Sequence, residues 1–208
     1  QGARVIDVPR QAQKGFQIDF GKLQEVINEQ RDVRLVFLTS PNNPTGDLIS
    51  RARLEAVLEA TLGRALVVLD EAYIEFCTAQ SAIELLEKWP QLVILRTLSK
   101  AWAAAGVRCG IVIADPAVIG LLQRVIAPYP LAAMAIDASL KAISAENIKR
   151  QKVFVETVRQ AKADLYQFLL KCDWVKEIWQ GEANFILLRV ANAGDLVSWC
   201  ARRGIRIR

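Results

Sequence analysis

The chain has 208 residues, of which 52% are hydrophobic and 24% charged, with a formal net charge of +5. This composition is typical of a globular protein, and no apolar run approaches the length of about 18 residues that predicts a membrane-spanning helix. The basic residues are scattered rather than gathered into a stripe, so we expect neither a nucleic-acid partner nor a membrane partner.

The chain contains no histidine. This excludes Ser-His-Asp and Cys-His catalysis and histidine-bound zinc, so proton transfer near neutral pH falls to a lysine, carboxylate, tyrosine or cysteine. The cysteines are far apart and form no CxxC pair: Cys77, Cys109, Cys172 and Cys200. Their spacing predicts free thiols in a reducing, cytoplasmic compartment, with neither a disulfide framework nor a metal site.

Strand and helix patterns alternate through the first 130 residues. Short apolar runs predict buried strands at 5–8, Leu35–Thr39, 66–69, 92–95 and Gly110–Ala114. Helical patterns occur at Phe20–Glu29, 50–62, 82–88 and 116–126. This alternation predicts an α/β fold, a mainly parallel sheet with helices on both faces.

The pattern changes after residue 130. Residues 131–170 contain neither proline nor glycine, which predicts one or two long helices. Strand-like segments follow at 174–179 and 184–190, and a helix is predicted at about 195–203, closed by Gly204. These elements are typical of a small α+β unit.

Both ends of the chain look as if they lie inside a domain, because 5–8 and 205–208 both resemble strands. We therefore expect a fragment of a longer protein. The change of pattern predicts a large domain over 1–155 and part of a small C-terminal domain over 156–208.

Polar motifs follow three of the predicted strands, where ligands bind in parallel sheets. The first is SPNNPTG at 40–46, after Leu35–Thr39. A proline-rich turn can hold an asparagine amide rigidly toward a ligand. The alternative is a plain turn, since asparagine, proline and glycine are turn residues in any case.

A lysine among phosphate-binding residue types is the most informative feature. Lys100 follows the strand at 92–95 and lies between the hydroxyls of Thr97 and Ser99 and the guanidinium of Arg108. Hydroxyls and an arginine bind phosphate, and a lysine can form a Schiff base with an aldehyde. Pyridoxal phosphate carries both groups, so it is the predicted cofactor.

The third motif begins with Asp70 at the end of a predicted strand. In a pyridoxal enzyme Asp70 could pair with the protonated ring nitrogen, and Tyr73 could hydrogen-bond the phenolic oxygen of the ring. The alternative is an aspartate that caps a helix beside a packed tyrosine. A nucleotide hydrolase would need a GxxxxGK[ST] loop, which the chain lacks.

These motifs carry a resemblance to a known family: SPNNPTG (40–46), DEAYIEF (70–76), RTLSKA (96–101), GVRCG (106–110) and APYPL (127–131). In this order and at this spacing, the chain resembles fold-type I, class II-like aminotransferases. Within them it is most similar to the histidinol-phosphate aminotransferase family, over nearly its whole length.

The resemblance implies a role for each matching residue. Lys100 would hold pyridoxal phosphate and act as general base and acid. Asp70 would be the partner of the pyridine nitrogen, and Arg208 would contact substrate.

The remaining matches are the residues that would bind the 3-oxygen and the phosphate of the cofactor. Tyr73 and Asn43 would be the partners of its 3-oxygen. Thr97, Ser99 and Arg108 would bind its phosphate.

The implied reaction converts histidinol phosphate and 2-oxoglutarate to imidazole acetol phosphate and glutamate, in histidine biosynthesis. The resemblance also implies a homodimer with the cofactor bound by the domain at 1–155. Several family features are absent from 1–208, including a glycine-containing phosphate loop, a tyrosine that reaches the neighbouring subunit's cofactor and a carboxylate-binding arginine. We therefore expect this segment alone to be an incomplete enzyme.

Other functions fit the same motifs. They are an aminotransferase for aromatic amino acids, a phosphothreonine decarboxylase of the same fold, and a non-catalytic regulator that senses pyridoxal. The regulator would carry a basic helix-turn-helix domain before residue 1.

Overall fold

The computed structural model describes residues 2–208, and a four-stranded sheet lies at its centre. The strands, in spatial order, are β1 (Leu35–Thr39), β2 (Leu66–Asp70), β3 (Leu92–Thr97) and β4 (Gly110–Ala114). β1, β2 and β3 are parallel, and β4 runs antiparallel to β3. The predicted α/β fold with a mainly parallel sheet is confirmed.

The α-helices of the described residues are α1 (Phe20–Glu29), α2 (Arg51–Thr61), α3 (Pro116–Val125), α4 (Ala133–Ala142), α5 (Ala145–Leu169) and α6 (Ala193–Ala201). Side-chain caps explain where several begin. Asp115 accepts a hydrogen bond from the backbone of Ala117 (2.8 Å) at the start of α3. Ser144 caps α5 and so separates it from α4. The predicted helix at 82–88 is instead a short 3-10 helix, Ala82–Leu85.

No helix in the described part of the chain is both long and apolar enough to cross a membrane.

The C-terminal part contains a second, two-stranded antiparallel sheet, β5 (Val175–Trp179) and β6 (Leu187–Val190). The strands predicted at 5–8 and 205–208 were wrong, because neither segment forms a strand. Val5 is 87% exposed and Ile205 is 52% exposed. A strand needs a neighbour for its backbone hydrogen bonds, and no strand within residues 2–208 pairs with either segment.

One face of the central sheet packs against α1 and α2 and forms the main core. Side chains alternate along a strand, so the parallel register places one apolar set on this face: Val36, Leu38, Val67, Leu69, Leu92 and Ile94. Each is at most 7% exposed. Burial of each such side chain contributes roughly 1.5–3 kcal/mol, which stabilises the packing of this face against the two helices.

The opposite face carries polar side chains at the carboxyl ends of the parallel strands. Thr39 and Asp70 are partners in the β1–β2 register, and Asp70 is the partner of Leu95 in β3. Thr97 lies two residues after Leu95 and therefore faces the same side. The three strand ends thus direct Thr39, Asp70 and Thr97 to one face.

The turn between β5 and β6 touches the loop that follows β1. The Glu182 N–H donates to the Gly46 carbonyl (2.7 Å). Gly46 and Gly181 both have positive φ, and a Cβ on Gly181 would lie 2.5 Å from the Gly46 Cα. From α5, Lys162 Nζ donates to the carbonyls of Gly181 (2.7 Å) and Ala183 (2.6 Å). The two segments approach so closely that only glycine fits at both positions.

Gly181→Ala is expected to destabilise the protein more than Gly63→Ala. Both glycines have left-handed φ (54° and 72°), which costs an alanine about 1 kcal/mol. An added Cβ meets nothing within 4 Å at Gly63, whereas at Gly181 it meets the backbone of Gly46. The clash adds roughly 1–3 kcal/mol at Gly181. Urea denaturation of the full-length protein measures both losses, and equal losses would contradict the close approach.

Candidate active site

The loop at 40–46 is held in shape by its own side chains. Asn42 is only 6% exposed. Its Oδ1 accepts from Thr39 Oγ1 (2.6 Å), and its Nδ2 donates to Thr45 Oγ1 (2.8 Å). Its carbonyl accepts from the Gly46 N–H (2.7 Å), and Thr45 in turn contacts Asp47. Asn42 is therefore a structural residue that stabilises the loop.

Asn43 is exposed, unlike its neighbour, and it reaches Tyr73. Its Nδ2 donates to the Tyr73 hydroxyl (2.9 Å). The Tyr73 ring is 9% exposed and packs edge-on against Phe185, with ring centroids 5.2 Å apart. Segments that follow β1 and β2 and precede β6 thus meet at this tyrosine.

Lys100 lies near the ring of Tyr73, and Asp70 lies at the end of β2, three residues before that tyrosine. The Lys100 amine is 5.2 Å from the centroid of the Tyr73 ring. Lys100 is exposed and makes no salt bridge with any residue in 2–208. Asp70 is half-buried, and its Oδ1 accepts from the Ala72 N–H (2.9 Å). Within the described residues its Oδ2 accepts no hydrogen bond, so that oxygen is free to pair with a cation.

Thr97, Ser99 and Arg108 lie where β3 ends and β4 begins. The Ser99 N–H donates to Thr97 Oγ1 (3.1 Å), which turns the chain at the end of β3. The Leu98 N–H donates to the Cys109 carbonyl (3.3 Å), so the segment that contains Arg108 runs alongside this turn. Arg108 is exposed. The two hydroxyls and the guanidinium are thus on adjacent segments of one sheet edge.

Arg208 is not brought into this cluster by any contact in the described part of the chain. It is exposed and lies in the segment after α6 that has no regular structure. Its contact with substrate stays a prediction.

Sequence reasoning gave no role to Glu71, whose side chain is only 2% exposed. Its carboxylate accepts from Ser81 Oγ (2.6 Å) and from the Ala82 N–H (2.8 Å). The sequence contained a signal for the burial of Glu71, because the residue after Asp70 must point to the opposite face of the sheet, where the main core lies. A carboxylate at such a position needs buried partners.

Cys77 lies close to the backbone of Tyr73, and its side chain is a neutral thiol. Burial, together with a smaller effect of the negative charge of Glu182, raises the pKa of the Cys77 thiol to about 12. The thiol lies 3.6 Å from the Tyr73 carbonyl. Burial lowers the pKa of the nearby Lys162 ammonium, which is hydrogen-bonded to two carbonyls. Cys77 is therefore a packing residue and not a nucleophile at neutral pH.

Comparison with known proteins identifies the family. The sequence matches the family described as aminotransferase class I and II over residues 1–199. The chain belongs to this family, which confirms the class of enzyme that its motifs resemble.

One curated relative is the histidinol-phosphate aminotransferase of Yersinia pseudotuberculosis serotype O:1b (strain IP 31758). It is 42% identical over 197 residues, a match that covers 95% of this chain and 51% of the relative. The chain thus spans about half the length of the curated relatives it matches.

Solved structures of similar fold include two enzymes. One is the histidinol-phosphate aminotransferase from Sinorhizobium meliloti in complex with pyridoxal-5'-phosphate, with a TM-score of 0.85 and 23% identity over 100% of this chain and 56% of that one. The other is the L-threonine-O-3-phosphate decarboxylase from Porphyromonas gingivalis, with a TM-score of 0.73 and 23% identity over 84% of this chain and 54% of that one. At this identity the likeness shows the fold, which confirms the predicted α/β class.

The two adjacent asparagines are expected to respond differently to substitution. Asn42→Ala removes two side-chain hydrogen bonds from a buried site and leaves Thr39 and Thr45 without that partner. It is expected to lower the free energy of unfolding by about 1–3 kcal/mol. Asn43→Ala removes one bond from an exposed residue and is expected to cost less than about 1 kcal/mol. Urea denaturation of the two variants measures the difference, and an equal loss would show that Asn42 does not hold the loop.

The Cys77 thiol is expected to resist alkylation until the pH is high. With a pKa of about 12, its thiolate is scarce at pH 8.5, whereas about half of an ordinary cysteine with a pKa near 8.5 is thiolate there. Iodoacetamide labelling of the folded protein at pH 8.5, read by mass spectrometry of the Cys77 peptide, checks this. A labelling rate equal to that of the urea-unfolded protein would contradict it.

Proposed function

We propose that the protein carrying this chain is a cytoplasmic, pyridoxal-phosphate-dependent aminotransferase that acts on histidinol phosphate and 2-oxoglutarate. The observation that carries the proposal is the arrangement around Tyr73. Its ring lies 5.2 Å from the Lys100 amine, and its hydroxyl is hydrogen-bonded to Asn43. The 42% identity to the Yersinia histidinol-phosphate aminotransferase supports this choice of substrate.

The groups present fit the chemistry of pyridoxal phosphate. The cofactor has a cationic ring nitrogen, a phenolic oxygen, an aldehyde and a phosphate, and each has a matching group here. Asp70 Oδ2 is free to pair with the ring nitrogen. The hydroxyl of Tyr73 and the amide of Asn43 would hold the phenolic oxygen. Lys100 would hold the aldehyde carbon through Nζ.

The phosphate would lie at the turn between β3 and β4. Thr97 and Ser99 offer hydroxyl donors, and Arg108 offers a guanidinium that recognises phosphate through paired hydrogen bonds. The Ser99 N–H donates to Thr97 Oγ1, so the backbone of the serine is held beside the threonine hydroxyl. Anchoring the phosphate at this turn would place the ring toward Tyr73.

When bound, pyridoxal phosphate supplies an electron sink for negative charge on the α-carbon of the substrate. Asp70 would stabilise the positive charge of the ring and so strengthen that sink. Lys100 Nζ would be the base that takes the α-proton and the acid that returns it. The Lys100 amine suits this role because it makes no salt bridge within residues 2–208.

The remaining features of the proposed enzyme concern the rest of the protein. We propose a homodimer, a cofactor-binding large domain that includes 1–155, and a small C-terminal domain that includes 156–208. Arg208 is the proposed substrate contact in this segment. Since the chain spans about half of its relatives' length, further substrate groups would come from the other half.

Decarboxylation is a second candidate, because the fold is also similar to that of the Porphyromonas L-threonine-O-3-phosphate decarboxylase. An assay series on the full-length protein separates the two, with histidinol phosphate, aromatic amino acids or phosphothreonine each supplied together with 2-oxoglutarate. Glutamate formed only with histidinol phosphate supports the proposal. Release of carbon dioxide from phosphothreonine without glutamate would replace it by the decarboxylase.

Borohydride reduction of the full-length protein with pyridoxal phosphate is expected to label Lys100. Lys100→Arg is expected to lose the label and to lower kcat by at least 10²–10⁴-fold, roughly the contribution of a general base. Lys88→Arg is the matched control, because Lys88 is also exposed and its amine lies 4.8 Å from the Trp89 ring centroid. Retention of the label in Lys100→Arg, or equal losses in the two variants, would sink the proposal.

A further inference from the structure

A buried charge network lies on the other side of the strand ends from Asp70 and Thr97. Arg96 is its centre. Its Nη1 donates to Glu75 Oε1 (2.9 Å), and its Nε lies 3.0 Å from Glu71 Oε2. The second contact is an ion pair whose N–H is not aligned for a hydrogen bond.

The three charged groups are shielded from water. The side chains of Glu71, Glu75 and Arg96 are 2%, 16% and 20% exposed. Charges this well buried interact strongly, and each carboxylate depends on its partners for stability. A single guanidinium therefore binds two carboxylates at once, as its planar fork of donors allows.

Each member of the network is close in sequence to a residue of the proposed site. Glu71 follows Asp70, and Arg96 precedes Thr97. Side chains alternate along the chain, so these neighbours point to opposite faces while sharing a backbone. The Glu71 N–H also donates to the Leu95 carbonyl (2.9 Å), which joins the two strand ends directly beside the network.

The network also reaches the segment after Lys100. Glu75 Oε1 accepts a second hydrogen bond from Trp102 Nε1 (3.4 Å). Glu75 lies two residues after Tyr73, and Trp102 lies two residues after Lys100. The lysine segment and the tyrosine segment are therefore also joined by this hydrogen bond.

We propose that Arg96 is a positioning residue of the site: through Glu71 and Glu75 it fixes the separation between the Asp70–Tyr73 segment and the Thr97–Lys100 segment. It does not touch the cofactor. This inference rests on the proposed function, because it concerns how the same cofactor is held.

The test compares Arg96→Lys with Arg64→Lys in the full-length protein. Lysine keeps the charge of Arg96 but cannot bind two carboxylates with a planar fork. Arg64 is the matched control, because it is also half-buried and its Nη2 donates to the carbonyls of Ile27 (2.6 Å) and Ala60 (3.0 Å). Arg64 precedes β2 and so lies at the opposite end of that strand from Asp70. The readouts are the Kd for pyridoxal phosphate by equilibrium dialysis and the visible circular dichroism of the bound cofactor.

Arg96→Lys is expected to raise the Kd for pyridoxal phosphate by about 10–100-fold, by analogy with residues that orient the protein ligands of metal ions. It is also expected to change the amplitude of the visible dichroism, which depends on how the cofactor is oriented. Arg64→Lys is expected to leave both unchanged. If Arg96→Lys does not fold, Glu75→Gln tests the same point, because it removes one charge and keeps the shape. A several-fold rise in Kd is then expected.

Unchanged Kd and dichroism in Arg96→Lys, or equal changes in Arg64→Lys, would overturn the role of Arg96 and leave the proposed function standing. An unsubstituted protein that binds no pyridoxal phosphate would overturn the proposed function and this inference with it.

Discussion

The register of three parallel strands determines which side chains can meet at this site. Thr39 and Asp70 are partners across β1 and β2, and Thr97 shares their face at the end of β3. A shift of one residue in any strand would turn its polar end to the core and its core residues to the site face. The packing of Val67, Leu92 and the other buried side chains against α1 and α2 thus holds the site in register.

A second constraint links the C-terminal part of the chain to the site. The turn at Gly181 lies against Gly46 with no room for a side chain, and Lys162 holds that turn through two carbonyls. Four residues after Gly181, the ring of Phe185 packs against Tyr73. The loop that carries Asn43 and the tyrosine it binds are therefore both supported by the same turn.

The sequence predicted the strands of the central sheet well because their apolar runs are short and bounded by polar residues. It also predicted helices with clear caps, such as the one that begins after Asp115. It failed at 5–8 and 205–208, where an apolar run has no strand to pair with in residues 2–208. Local composition cannot reveal the absence of a partner, because a strand is stabilised by contacts that are distant in sequence.

The residues of the candidate site could be predicted from strand ends and motifs. The buried residues that hold them in place could not. In three places two adjacent polar residues have different tasks: Asn42 and Asn43, Asp70 and Glu71, Arg96 and Thr97. One member of each pair points inward and is bound by other protein groups, and the other is directed to the site.

Sequence alone gives the two members of such a pair similar weight, since both are polar and both follow a strand. At the strand ends, the alternation of side chains across the backbone separates Asp70 from Glu71 and Arg96 from Thr97. Asn42 and Asn43 lie in a loop, and only their hydrogen bonds in the structure separate them. The same alternation has a physical consequence: the inward contacts of Glu71 and Arg96 hold the backbone beside Asp70 and Thr97, the neighbours that face the candidate site. Asp70 keeps a free carboxylate oxygen within the described residues, while the carboxylate of Glu71 is fully engaged.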